Sequence, residues 1–137
     1  MAEQYELPAK TLEGYLFPDT YLFPAETDHA VIVNSMVKRF REQFTPQWQA
    51  RAEKLKLDVH EVVTLASIIE KETGDPKERP LISSVFHNRL KKGMRLETDP
   101  TVIYGIENFD GNLKRKHLRT YTPYNTYKIK GLPPGPI

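Results

Sequence analysis

The sequence predicts a mostly helical α+β domain with a loop-rich C-terminal half. Three observations carry this expectation. Three windows between residues 29 and 92 place apolar residues at helical spacing, and a fourth opens on the Thr45-Pro46 start signal. Two stretches, "GYLFPDTYLF" and "TYKIK", read as short extended pieces. After Gly93 the chain becomes short elements and turns, ending in "GLPPGPI", which cannot be helical.

Residues 1–28 form an aromatic segment punctuated by prolines, and residues 29–137 form the core of what reads as a single domain. In "GYLFPDTYLF", two extended pieces flank a Pro-Asp turn. Thr27 and Asp28 then offer N-cap oxygens. From His29 to Phe44, Val31, Ile32, Val33, Met36, Val37, Phe40 and Phe44 keep one helical face. The second helix starts with Pro46 at its first position and is expected to run to about Leu57. The third spans about Asp58 to Thr73, with Asp58 as cap and Gly74 as stop. The fourth covers roughly Leu81 to Lys92, with Ile82, Val85, Phe86 and Leu90 inward and Gly93 at its end. Thr98 or Asp99 could cap a short helix through Tyr104, and "FDGN" signals a turn.

Bulk properties narrow the chemistry. Of 137 residues, 39% are apolar and 28% charged, a globular composition. The formal charge of +2 suits an anionic partner without requiring one. The absence of cysteine rules out disulfides, zinc-thiolate sites and a cysteine nucleophile. The four histidines lack metal-ligand spacing, and neither a phosphate-binding glycine loop nor a Gly-x-Ser-x-Gly elbow is present, so no metal or cofactor is expected. No apolar run approaches the roughly 18–20 residues of a membrane span. "MAEQYELPAK" has no apolar h-region, so the chain as given is expected to be soluble and to carry no signal peptide. The basic run "KRKHLR" reads as a solvated face, and no nucleic-acid partner is expected.

"LASIIEKETG" concentrates two acids at the end of the third helix. Helical phase places Glu72 on the flank of the stripe set by Val62, Leu65, Ala66, Ile68 and Ile69, and places Glu70 away from it. Glu72 is therefore the candidate for partial burial. Burial raises a carboxyl pKa toward what a general acid needs near neutrality, and a helix C-terminus acts in the same direction. On pattern alone, a solvated helix end remains the stronger reading. "RLETDPTVIYG" and "TPYNTY" add Glu97, Thr98, Asp99, Tyr104, Tyr124, Asn125 and Tyr127. Tyrosine faces and an amide suit carbohydrate recognition, and equally suit loop packing.

Four motifs in order, "LEGYLFPDTY", "LASIIEKETG", "ERPLISSVFHNRLKKGMRLETDPTVIYG" and "TPYNTYKIKGLPPGPI", closely resemble the YceG-like (MltG) family of endolytic murein transglycosylases. The resemblance covers about residues 12–137, with Glu26 to His60 divergent. It implies a lysozyme-like helical core and a protein anchored in the cytoplasmic membrane by one N-terminal helix, with its catalytic domain on the periplasmic or extracellular side. It implies cleavage of nascent peptidoglycan between N-acetylmuramic acid and N-acetylglucosamine, with glycan strands as substrate and peptidoglycan synthases as further partners. The catalytic glutamate maps to Glu72, in the Glu-Thr pair. Tyr124 and Asn125 are expected to orient Glu72 or substrate. Thr98, Tyr104 and Tyr127 are expected in the glycan cleft, with Asp99 and Glu97 as candidates for placing the sugar. Glu97 stands where relatives often carry glutamine, and His87 where an apolar or aromatic residue is usual. The chain is expected to be a catalytic-core fragment lacking the anchor, a LysM-like module and the end of the domain. Two other readings stay open: a muramidase-type hydrolase, and a glycan-binding or scaffolding module without catalysis.

Overall fold

A computed structural model describes residues 2–137, with six helices and, among the described residues, no β-strand. A 3-10 turn at Ala2–Tyr5 precedes α1 (His29–Gln43), α2 (Pro46–Lys54), α3 (Val59–Glu72), α4 (Arg79–Lys91), α5 (Asp99–Tyr104) and α6 (Arg115–Arg119). The chain divides into two compact units, Met1–Val62 and Val63–Ile137. The division falls inside α3.

The helix starts follow their caps. Asp28 accepts from the Ala30 N–H at 2.7 Å, and Thr45 accepts from the Trp48 N–H at 3.3 Å. Asp58 accepts from the Glu61 N–H at 2.8 Å while Glu61 accepts from the Asp58 N–H at 2.9 Å, a reciprocal capping box. Two helix ends are Schellman closures. At the end of α2, the Leu57 N–H reaches the Ala52 carbonyl and the Lys56 N–H reaches that of Glu53, with Lys56 left-handed at φ 59°. This closure ends the helix short of the expected Leu57. Gly93, at φ 67°, closes α4 in the same way. Gly74 does not act as the expected stop, since its φ is not positive. After Glu72, the Thr73 hydroxyl instead donates to Glu78 at 2.6 Å and accepts from the Asp75 N–H at 3.0 Å, folding the chain away from the helix axis.

The short strands of the sequence reading are not formed. In "GYLFPDTYLF" the Phe17 N–H bonds the Met36 carbonyl of α1 at 3.4 Å, and Asp19 pairs with Arg39 at 2.7 Å. The segment is therefore held by α1 rather than by a neighbouring strand, and its prolines lack the donor a ladder requires. In "TYKIK" the Asn125 carbonyl accepts from both the Lys128 and Ile129 N–H groups, so the chain turns. The basic run, expected to be a solvated face, forms α6, which buries none of its residues. The run carries no apolar periodicity, and His117 Nδ1 accepts from the Lys114 N–H at 3.0 Å at its start.

In the first unit the buried set is Ala2, Tyr5, Tyr15, Val37 and Ala52. Tyr15 packs edge-on to Phe40 at 5.0 Å, and its hydroxyl lies 2.7 Å from His60 Nδ1. Burial, and secondarily the charge of Asp58, pushes the Tyr15 phenol up to about 12. A raised folded pKa stabilises the protein below the unfolded value near 10, and that contribution is lost as pH rises to about 12. For two pH units this is roughly 2–3 kcal/mol. Urea unfolding at pH 8 and pH 11.5 should show a steeper alkaline loss for the native protein than for Tyr15→Phe. Equal losses would contradict the assignment.

The second unit is built around Thr64, Leu65 and Ile68 of α3, Phe86 of α4, Leu96, and Thr101 and Val102 of α5. Ala66 and Val85, placed inward by the sequence reading, are exposed. The buried stripe of α3 is centred toward Thr64 instead of Ala66, and α4 buries Phe86 while leaving Leu81 and Val85 open.

Candidate active site

The candidate residues lie within the second unit. Glu72 is the last residue of α3, on the same face as Leu65 and Ile68. The core ends one turn earlier, so Glu72 is exposed. This corrects the expectation that Glu72 is partly buried. Its carboxylate is nevertheless held: Thr98 Oγ1 donates to Glu72 Oε2 at 2.5 Å. Glu70 is also exposed.

Thr98 stands at the N-cap of α5, yet its side chain makes no capping hydrogen bond because its hydroxyl is directed to Glu72. Glu97 precedes it in the left-handed region at φ 51°, a conformation that costs a residue with a β-carbon about 1–2 kcal/mol. The Glu97 N–H donates to the Thr126 carbonyl at 3.2 Å, which helps hold the turn. The Glu97 side chain is exposed.

Asp99 accepts from the Tyr127 hydroxyl at 2.8 Å. The Tyr127 phenol is pushed up to about 12, first by burial, then by this hydrogen bond and by the charges of Asp99, Glu97 and Glu72. Tyr127 therefore remains a neutral donor at physiological pH. The charges of three carboxylates, Asp99, Glu97 and Glu72, thus act on this one tyrosine.

Tyr104 and Tyr124 meet with ring centroids 4.7 Å apart and planes tilted by 53°. A β-carbon at Gly105 would lie 2.6 Å from Thr122 Oγ1 and 3.5 Å from the Tyr124 β-carbon, so the glycine permits this close approach. Tyr104 also lines a groove of about 270 Å³ with Lys71, Pro100, Ile103 and Ile137. Glu72 is not among its lining residues.

Asn125 is fully buried. Its amide donates to the carbonyls of His117, Leu118 and Thr120 at 3.2, 3.2 and 2.7 Å, and its Oδ1 accepts from the Tyr127 N–H at 2.9 Å. It shapes the segment that presents Tyr124 and Tyr127, while Thr98 is the residue bonded to Glu72. Sequence reasoning missed Thr101 and Thr126, both buried beside Thr98. Their only signal was polarity among short elements that otherwise lack a core pattern.

A model of the YceG-like family matches residues 1–137. A Bacillus subtilis protein named endolytic murein transglycosylase is 44% identical over 127 residues, covering 92% of this chain and 35% of that relative. A Streptococcus pneumoniae protein of the same name is 34% identical over 131 residues, covering 92% of this chain and 24% of the relative. The crystal structure of a YceG-like protein from Listeria monocytogenes superposes with a TM-score of 0.80 at 44% identity, covering 91% of this chain and 41% of that one. The chain thus spans about a third or less of the length of these curated relatives. With its whole length matched and its fold shared, the chain belongs to the YceG-like family.

Proposed function

We propose that this chain carries the catalytic core of an endolytic murein transglycosylase, with Glu72 as general acid and then general base. The observation that carries the reading is the Thr98–Glu72 hydrogen bond. It ties a carboxylate at a helix end to a segment bearing Asp99, Tyr127, Tyr104 and Tyr124, in a family whose named relatives act on murein.

In this mechanism protonated Glu72 gives its proton to the glycosidic oxygen between N-acetylmuramic acid and N-acetylglucosamine. The bond from C1 to that oxygen breaks, leaving oxocarbenium character at C1. The muramic acid C6 hydroxyl attacks C1 and returns its proton to the Glu72 carboxylate. The result is a 1,6-anhydromuramic end and a free 4-hydroxyl, with no water consumed. The nucleophile is already tethered to the reacting sugar, so its effective concentration is high and no second carboxylate is required to generate it. Tyr104 and Tyr124 offer flat faces to sugar rings, and Tyr127 and Asp99 offer polar handles.

The exposure of Glu72 favours one alternative, a muramidase-type hydrolase in which water reaches C1. Product chemistry separates the two. Digestion of isolated peptidoglycan strands should yield anhydromuramic ends, each 18 mass units lighter than the hydrolysed end by the loss of one water. Reducing ends alone would reject the transglycosylase reading, and intact strands would support a binding module. We also read the whole protein as membrane-anchored, facing the cell exterior or periplasm and working beside peptidoglycan synthases. The family resemblance supports that placement. Among the described residues no helix is long and apolar enough to cross a membrane.

A further inference from the structure

We propose that Thr126 is a positioning residue for this reaction, acting with Thr101 through the backbone of Thr98 to aim the hydroxyl that holds Glu72. The inference rests on Glu72 being the acid and base.

The three threonines form a closed hydrogen-bond circuit. The Thr98 N–H donates to Thr126 Oγ1 at 3.0 Å. Thr126 Oγ1 lies 2.8 Å from Thr101 Oγ1, and Thr101 Oγ1 donates to the Thr98 carbonyl at 2.7 Å. With the Thr101 proton on that carbonyl, Thr126 Oγ1 gives its proton to Thr101 Oγ1, and its longer contact of 3.4 Å to the same carbonyl is the alternative. Each of these hydroxyls then gives one hydrogen bond, and Thr101 Oγ1 also accepts from the Thr126 N–H at 3.4 Å. All three residues are at most 2% exposed, so water does not compete.

The circuit fixes Thr98 at both its N–H and its carbonyl, and leaves the Thr98 hydroxyl outside. That hydroxyl neither caps α5 nor joins the circuit; it donates to Glu72 Oε2. With Oε2 accepting from Thr98, the transferred proton sits on Oε1. Thr126 thereby selects which carboxyl oxygen delivers the proton, although Thr126 and Glu72 share no hydrogen bond in the network. Thr126 lies 28 residues from Thr98 in sequence and 54 from Glu72, so no local motif announces the coupling.

Valine matches the shape of threonine without the hydroxyl. Made in the complete protein containing this sequence, Thr126→Val should lower kcat on peptidoglycan strands about 10- to 100-fold, the range a small misplacement of a reacting group produces. KM should stay within about twofold if the residue positions the acid without contributing to binding. Thr126→Ser should restore kcat to within about threefold. Thr98→Val should lose a comparable amount, and the double variant should lose no more than about twofold beyond it, since both changes act on one contact. Wild-type kcat in folded Thr126→Val, or additive losses in the double variant, would overturn the inference. If Thr126→Val does not fold, Thr126→Cys keeps the volume with a weaker acceptor. It should show the same kcat loss at unchanged KM, and wild-type kcat there would count equally against the proposal. Glu72→Gln distinguishes the two levels: full activity in that variant removes the catalytic reading itself, whereas its inactivity beside an active Thr126→Val removes only the role of Thr126.

Discussion

Glu72→Gln should reduce the release of anhydromuramic ends by about 10²–10⁴-fold, the usual contribution of a positioned general acid or base. The amide keeps the shape of the side chain and an oxygen that can accept from Thr98 Oγ1, so folding should be preserved. What it lacks is the transferable proton. Glu70→Gln is the matched control. Glu70 is exposed, and its replacement should leave cleavage within about twofold, as for most surface changes away from a site. Retained binding to glycan strands by Glu72→Gln without cleavage would mark a loss of chemistry rather than of substrate. Undiminished cleavage would exclude Glu72 as the acid.

The second large effect falls on stability. Asn125→Asp is close to isosteric and keeps the oxygen that accepts from the Tyr127 N–H, but it turns a second carboxylate oxygen toward three backbone carbonyls. An uncompensated buried charge of this kind should cost about 3–5 kcal/mol at pH 7. A typical domain has only about 5–15 kcal/mol in total. The sign with pH follows from the same contacts. The fold disfavours the charged form, so the folded state binds the proton more tightly than the unfolded state, and the deficit should shrink as pH falls through the carboxyl's protonation. Denaturant midpoints of the variant and the native protein, compared at pH 7 and pH 4, measure it. Equal stability at pH 7 would show that the amide donors contribute little. Because Asn125 shapes the segment bearing Tyr124 and Tyr127, cleavage should fall along with stability.

The starts of three helices were legible from their caps. Asp28, Thr45 and Asp58 each precede a helix, and each caps it in the structure. Chemistry set by distant partners was not legible. The extended look of residues 14–23 comes from aromatics and prolines, but Met36 and Arg39 of α1 decide where that segment lies. The partial burial expected of Glu72 failed because helical phase tells which face a residue takes and not where the core stops. Thr98 gave a short-helix cap signal, yet its hydroxyl is engaged by a carboxylate 26 residues earlier. Periodicity separated Glu72 from Glu70, but the catalytic role given to Glu72 leaned on the family resemblance, since pattern alone favoured a solvated helix end.

Glu97 bears on which substitutions this region can accept. Its left-handed backbone sets a steric filter that operates before charge is considered. Asparagine and glycine enter that conformation readily, unbranched chains at modest cost, and valine, isoleucine or threonine with difficulty. Drift at position 97 is therefore channelled among unbranched side chains that differ in charge. The electrostatic environment beside Glu72 can be retuned there by a single residue while the turn leading into Thr98 keeps its shape.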